Sequence, residues 1–221
     1  MEFDFSLITN SLPLLLQGAL VTLEITAMAV GLGLVFGLLA ALAQLSKFTP
    51  LRLLAKIYVD FIRGTPLLVQ IFIIYFALPA IIGQRIDPFV AAVAACSINS
   101  GAYVAEIFRA GIQSIEVGQM RAGLSLGMNW TMTMRYIILP QAFRRMLPAL
   151  GNNAIAILKD SSLVSAIGLT ELAYAARTVA GASARYWEPY LTISIMYWVM
   201  TLGLAWLIRL LEQRLGKGDD K

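Results

Sequence analysis

Residues Leu12–Leu45 read LPLLLQGALVTLEITAMAVGLGLVFGLLAALAQL, and Glu24 is the one charged side chain among them. About 20 apolar residues are enough to cross the hydrocarbon core of a bilayer as a helix, so this run spans it with room for a tilt or an interfacial start. A helix that is apolar on all faces is buried in a large core or in lipid. The run therefore predicts a membrane helix.

The rest of the chain has the same character. It has 221 residues, of which 59% are hydrophobic and 14% are charged, and its mean hydropathy is +0.75. We predict an all-α, polytopic membrane protein of about five transmembrane helices, with residues 1–221 as a single transmembrane domain and its core at about 12–211. The predicted spans are Leu12–Leu45, Ala55–Leu78, Pro88–Phe108, Met146–Leu163 and Trp187–Leu211.

The distribution of Lys and Arg predicts the orientation, because cytoplasmic loops of membrane proteins are enriched in both. With the N-terminus outside and the C-terminus in the cytoplasm, 13 basic residues lie inside and 3 outside. The inner set is Lys47, Arg52, Lys56, Arg63, Arg109, Arg121, Arg135, Arg144, Arg145, Arg209, Arg214, Lys217 and Lys221. The outer set is Arg85, Arg177 and Arg185.

Missing residue types exclude several functions. The chain has no histidine and one cysteine, Cys96, so it lacks the ligands of bis-histidine haem, of most zinc sites and of iron–sulfur clusters. No metal site and no nucleic-acid partner is predicted, since the net charge of +4 is typical of cytoplasmic loops. No Walker A pattern occurs, so any ATP hydrolysis must come from another subunit.

The inner loop, at about residues 114–142, predicts two short helices. The first ends at Gly127, as expected of a C-terminal glycine, and the second begins after Asn129, a favourable N-cap. Either this hairpin lies at the membrane surface without a partner, or it docks onto one. Its run Gly118-x-x-x-Ala122-Gly123-x-x-Leu126-Gly127, followed after eleven residues by Leu139-Pro140, resembles the "EAA" loop of ABC importer permeases.

More specifically, the chain resembles permeases of the polar amino acid uptake family, of the glutamine, histidine and arginine type. The supporting segments are Phe61–Gln70, Asn99–Glu106, Arg109–Gln113, Leu139–Ala142 and Lys159–Leu163. The resemblance implies a type I ABC importer permease fold in a bacterial cytoplasmic membrane. It also implies a transport subunit, not an enzyme, that moves polar amino acids by alternating access.

The resemblance further implies the partners of this chain. They are a cytoplasmic ABC ATPase dimer that holds ATP-Mg, an extracytoplasmic solute-binding protein, membrane lipid, and a second permease copy or a sibling permease. This chain itself would bind no cofactor. ATPase coupling is assigned to Gly118, Arg121, Ala122, Gly123, Leu126 and Gly127. The family usually has Glu where this chain has Arg121, which implies an acidic residue in the ATPase or a lesser role for that carboxylate.

Charges at membrane depth predict a substrate site. Lys159 and Asp160 end the fourth span, and buried charges in membranes usually face a cavity or a partner. Two polar pairs seven residues apart, Asn152 with Lys159 and Asn153 with Asp160, would each share a helix face. The alternative is that Lys159 and Asp160 reach the outer headgroups. The predicted substrate-binding residues are Asn99, Asn152, Lys159, Asp160 and Ser161.

The second span predicts a bend, because Pro66 donates no backbone hydrogen bond and Gly64 is flexible. We assign a gating role to Asp60, Arg63, Gly64 and Pro66, with a plain kink as the alternative, and Asp60 and Arg63 are spaced to form an ion pair. Glu106 is expected to pair with Arg109.

Gly33 and Gly37 are expected to allow close helix packing. An ion-gradient-driven secondary transporter is the alternative function. It predicts transport by this chain alone, without ATP.

Overall fold

The computed structural model describes residues 3–216, with only the backbone of residues 215 and 216. The helices are α1 Phe5–Gln44, α2 Thr49–Arg63, α3 Leu67–Phe72, α4 Leu78–Ile82, α5 Pro88–Gln113, α6 Val117–Ser125, α7 Trp130–Thr133, α8 Leu139–Asp160, α9 Leu172–Ser183 and α10 Trp187–Gly216. Short π-helical turns, Ile73–Ala77 and Met134–Ile138, join α3 to α4 and α7 to α8. The described residues contain no strand, so the predicted all-α class is confirmed.

Helix α1 begins seven residues before the predicted start at Leu12. The Asp4 carboxylate accepts hydrogen bonds from the backbone N–H groups of Ser6 and Leu7, which caps the first turn. Pro13 lies inside the helix near this end, where it removes a single backbone hydrogen bond. The hydrogen bond from the Ser6 hydroxyl also lowers the pKa of the Asp4 carboxyl.

The centre of the fold is the contact between α1 and α5. A Cβ atom at Gly33 would lie 2.5 Å from the hydroxyl oxygen of Ser100, and one at Gly37 would overlap Val104. The two backbones can approach this closely only because both positions are glycine, as the sequence predicts. Next to this contact, a buried apolar core joins α1, α3, α5 and α8 through residues that include Ile25, Ile71, Ala92, Cys96 and Ile157.

The described residues account for about five membrane crossings. Helices α1, α5 and α10 are each long and apolar enough to cross a membrane. Helix α2 together with α3 and α4 forms a fourth, bent crossing. Helix α8 packs against α5 and α10 and supplies the fifth crossing. Its polar and charged residues make it less hydrophobic than the other membrane helices. It begins at Leu139 instead of the predicted Met146, because Pro140 occupies the first turn, where a missing N–H costs little.

The connection between α8 and α10 folds back onto the helices. A 3₁₀ helix, Ser161–Ile167, continues α8 and ends at Gly168, whose φ of +82° favours glycine. Helix α9 then packs on α1 and α10. The predicted domain extent of 1–221 stays a prediction, and Lys217 and Lys221 lie outside the described residues.

Candidate functional site

The predicted bend in the second span is a complete break. Helix α2 ends at Arg63 and α3 begins at Leu67, and the segments on either side differ in direction by 108°. Pro66 is the N-cap of α3, with extended backbone angles of φ −64° and ψ 137°. The chain therefore starts a new helix at Pro66, where the sequence predicts either a kink or a fresh start.

A buried glutamine compensates the backbone groups that this break exposes. The Gln70 side-chain amide donates to the carbonyl oxygens of Ile62 at 2.8 Å and Thr65 at 3.1 Å. Its carbonyl oxygen accepts a hydrogen bond of 3.0 Å from the Asn99 side chain on α5. Unpaired carbonyls cost several kcal/mol inside a bilayer. Gln70 therefore makes an unwound segment compatible with membrane depth and ties it to α5.

A polar cavity of about 390 Å³ lies beside the break. Its polar lining comes from Thr65, Asn99, Tyr103, Asn153 and Asp160. Asp160 is the one charged side chain among its described lining residues. On the same helix as Asp160, the Asn153 amide donates to the Ser100 hydroxyl at 2.8 Å, which fixes α8 against α5. A cavity of this size, polar amid apolar helices, can hold a small polar molecule.

The structure divides the predicted substrate residues into two groups. Asn99 and Asp160 line the cavity, whereas Lys159 and Asn152 do not, although Asp160 is exposed in the single subunit as they are. Ser161 is buried, and its hydroxyl donates to the Leu158 carbonyl oxygen at 2.8 Å. Their roles in binding stay predictions.

The predicted substrate-binding residues did not include Asn153 and Tyr103, yet both line the cavity. Two spacings in the sequence could have identified them. Asn153 lies seven residues before Asp160, and Tyr103 lies four residues after Asn99, so each pair shares a helix face.

A charged cluster lies on α5 next to the cavity. Glu106 accepts hydrogen bonds from the Arg109 guanidinium, so the predicted pair is confirmed. The expected pair of Asp60 with Arg63 is wrong, because Arg63 lies instead 3.9 Å from Glu106. The Arg63 guanidinium also lies 5.5 Å from the centre of the Tyr103 ring. This contact connects the end of α2 to a wall of the cavity.

The inner hairpin consists of α6 and α7 and has the predicted boundaries. Gly127 has φ +82°, and the Asn129 side chain accepts a hydrogen bond of 2.8 Å from the backbone N–H of Met132. Gly123 is buried, and a Cβ there would lie 2.5 Å from the Thr133 side chain. The other predicted coupling residues are exposed, namely Gly118, Arg121, Ala122, Leu126 and Gly127. Gly123 holds the hairpin together, and the remaining five form its outer surface.

Known proteins are similar along almost the whole chain. The glutamine transport system permease protein of Escherichia coli (strain K12) is 44% identical over 216 residues, which is 97% of this chain and 99% of that protein. The arginine transport system permease protein of Bacillus subtilis (strain 168) is 38% identical over 219 residues, 99% of this chain and 100% of the other.

A solved structure agrees with these relatives. The crystal structure of an amino acid ABC transporter with histidines contains a chain that is 46% identical, with a TM-score of 0.91 over 97% of this chain and 100% of that one. These relatives give no support to a secondary transporter. The family described as binding-protein-dependent transport system inner membrane component matches residues 33–217. The chain thus belongs to this family of multi-pass inner membrane transport proteins.

Proposed function

We propose that this chain is the permease subunit of an ATP-driven importer and moves polar amino acids through the cavity at the break between α2 and α3. The observation that carries the proposal is this cavity, whose walls include Asn99, Asn153 and Asp160 amid apolar helices. The relatives named for glutamine and arginine transport support amino acids as the substrate class. As a permease, the chain is a transport subunit and not an enzyme.

Energy comes from a separate ABC ATPase dimer that docks on the inner hairpin and holds ATP-Mg, while this chain binds no cofactor. The absence of a Walker A pattern and the exposed surface of α6 support this division of roles. A solute-binding protein delivers the amino acid from outside, in keeping with the family description. The charge distribution supports an external N-terminus and a cytoplasmic C-terminus.

Two permease subunits, identical or siblings, enclose the pathway between them. About five crossings are few for enclosing a solute path alone, and two-fold pairing is the commonest arrangement of oligomers. Lipid surrounds the outer faces of both subunits. The pathway opens alternately outward and inward, with ATP and the loaded binding protein favouring one of the two states.

The charge of the cavity favours a class of amino acid. Asp160 places a carboxylate on the lining, which attracts the ammonium group of any amino acid and the side chain of a basic one. An acidic side chain would bring like charges together beside Asp160. We therefore expect neutral polar and basic amino acids to be transported in preference to acidic ones.

The test is uptake of radiolabelled amino acids into liposomes that contain the permease, its ATPase and its binding protein. A charge-assisted hydrogen bond contributes about 1.5–3 kcal/mol, so Asp160→Asn should lower uptake about tenfold or more. Lys159→Ala is the matched control, because Lys159 is the adjacent charge and is exposed, and it is not among the residues that line the cavity. Normal uptake by Asp160→Asn would refute the assignment of this cavity as the substrate site. ATP-independent accumulation by the chain alone would overturn the importer itself.

A further inference from the structure

Glu171 is a fully buried carboxylate to which the transport pathway assigns no role. It is the N-cap of α9, and its oxygens accept hydrogen bonds from the backbone N–H groups of Ala173 at 2.9 Å and Tyr174 at 2.8 Å. The Tyr197 hydroxyl of α10 donates a third bond at 2.9 Å. Within residues 3–216, Glu171 forms no ion pair with a Lys or Arg side chain.

Helix α1 completes this junction from the other side. A Cβ at Gly18 would lie 2.9 Å from the Leu172 Cα atom, so α9 meets α1 backbone to backbone. The Thr22 hydroxyl accepts a bond of 3.3 Å from the Leu172 N–H and donates to the Gly18 carbonyl oxygen. The first turn of α9 is thus held by α1 and α10 together.

The other end of α9 is tied to the same two helices. Arg185, which follows α9, lies 2.5 Å from the Glu188 carboxylate at the start of α10. Its guanidinium also lies 3.7 Å from Asp4, the N-cap of α1. Between the two ends, Ala175 and Ala176 are buried in an apolar cluster with Leu15 and Ile193.

We propose that Glu171 is a positioning residue that locks α9 to α1 and α10, so that these outer segments move as one body when the pathway opens. Separation of α9 from α10 would leave a buried carboxylate without its hydroxyl donor, which is unfavourable in an apolar environment. The inference rests on the proposed alternating access.

Spin labels can test this directly. We would introduce Thr178→Cys on α9 and Ser194→Cys on α10, both exposed positions, in a Cys96→Ala background. Pulsed electron paramagnetic resonance then gives the distance between the labels in the reconstituted complex with its ATPase, with labelled subunits diluted in unlabelled ones. The expected distance distribution is narrow and identical without nucleotide and in the ATP-trapped state.

Glu171→Ala should broaden this distribution, because buried donors lose their acceptor and the detached state of α9 rises about tenfold in population. Tyr197→Phe should broaden it less, since it removes a single donor and keeps the ring. The matched controls are Glu212→Ala and Tyr190→Phe on α10, which should leave the distribution unchanged.

A narrow distribution in Glu171→Ala would refute the lock, and so would a wild-type distance that changes with nucleotide. The variants also predict a split in function. Uptake by Glu171→Ala should fall in maximal rate with little change in KM, because the cavity residues are intact. Glu171→Gln, which keeps one acceptor oxygen, should restore part of that rate. The label distance without nucleotide does not depend on the substrate, so it can fail or succeed separately from the proposed function.

Discussion

Replacement of Gln70 by leucine removes the side chain that compensates the broken span. The substitution introduces an apolar side chain of similar size and deletes the amide that bonds Ile62, Thr65 and Asn99. Each buried polar group left unpaired costs about 1–3 kcal/mol. The Asn99 amide loses its acceptor, whereas the Ile62 carbonyl oxygen keeps bonds of 3.5 Å from the N–H and hydroxyl of Thr65, so we expect a loss of about 1–3 kcal/mol in the free energy of unfolding.

The assay is thermal unfolding of the protein in nanodiscs, followed by binding of a thiol dye to Cys96, which is fully buried in the fold. Gln84→Leu is the matched control, because Gln84 is exposed in the loop between α4 and α5. It should leave the unfolding temperature unchanged. The two glutamines differ in burial and hydrogen bonding, so the comparison isolates those two properties.

A double-mutant cycle measures the coupling between Gln70 and Asn99 directly. If the bond between Gln70 and Asn99 contributes as the structure indicates, Gln70→Leu with Asn99→Leu should be less destabilised than the sum of the two single variants. Equal unfolding temperatures for Gln70→Leu and Gln84→Leu would refute the reasoning. Strict additivity in the cycle would refute the coupling between α3 and α5.

Gly123→Glu should abolish copurification of the ATPase while membrane insertion stays intact, because any side chain at this position collides with Thr133 and opens the hairpin. Gly181→Ala on α9, which meets no atom within 4 Å and lies outside the hairpin, should preserve copurification, and retention of the ATPase by Gly123→Glu would contradict this assignment. Gly37→Leu should lower the unfolding temperature strongly, since α1 cannot then approach α5. Gly31→Leu faces open space and should be neutral, so equal effects of the two leucines would exclude a packing role for Gly37.

Local features of the structure follow closely from the sequence. The hairpin boundaries at Gly127 and Asn129 and the break at Pro66 were all predictable, because caps, turns and proline effects involve residues within one turn of each other. The pairing of Glu106 with Arg109 was predictable for the same reason. The start of α1 was missed, since the Asp4 carboxylate caps a first turn that lies before the apolar run from Leu12.

The family and the inner hairpin were also recognisable, because the resemblance lies in motifs read along the chain. The sequence could not decide which polar face of α8 borders the cavity. Asn152 and Asn153 begin two stripes with the same seven-residue spacing, about 100° apart around the helix, and both satisfy the same pattern. Packing of α8 against α5 selects the face of Asn153 and Asp160.

Tertiary structure likewise decided the partners of distant side chains. Arg63 pairs with Glu106 rather than Asp60, and Gln70 finds the carbonyl oxygens of an unwound segment. Glu171 meets Tyr197 across 26 positions of the chain. The sequence by itself determined the membrane helices, their breaks and their ends, since these depend on hydropathy and on neighbours along the chain. Only the folded structure determined which side chains meet, because a helix presents several faces and the packing of all the helices together chooses among them.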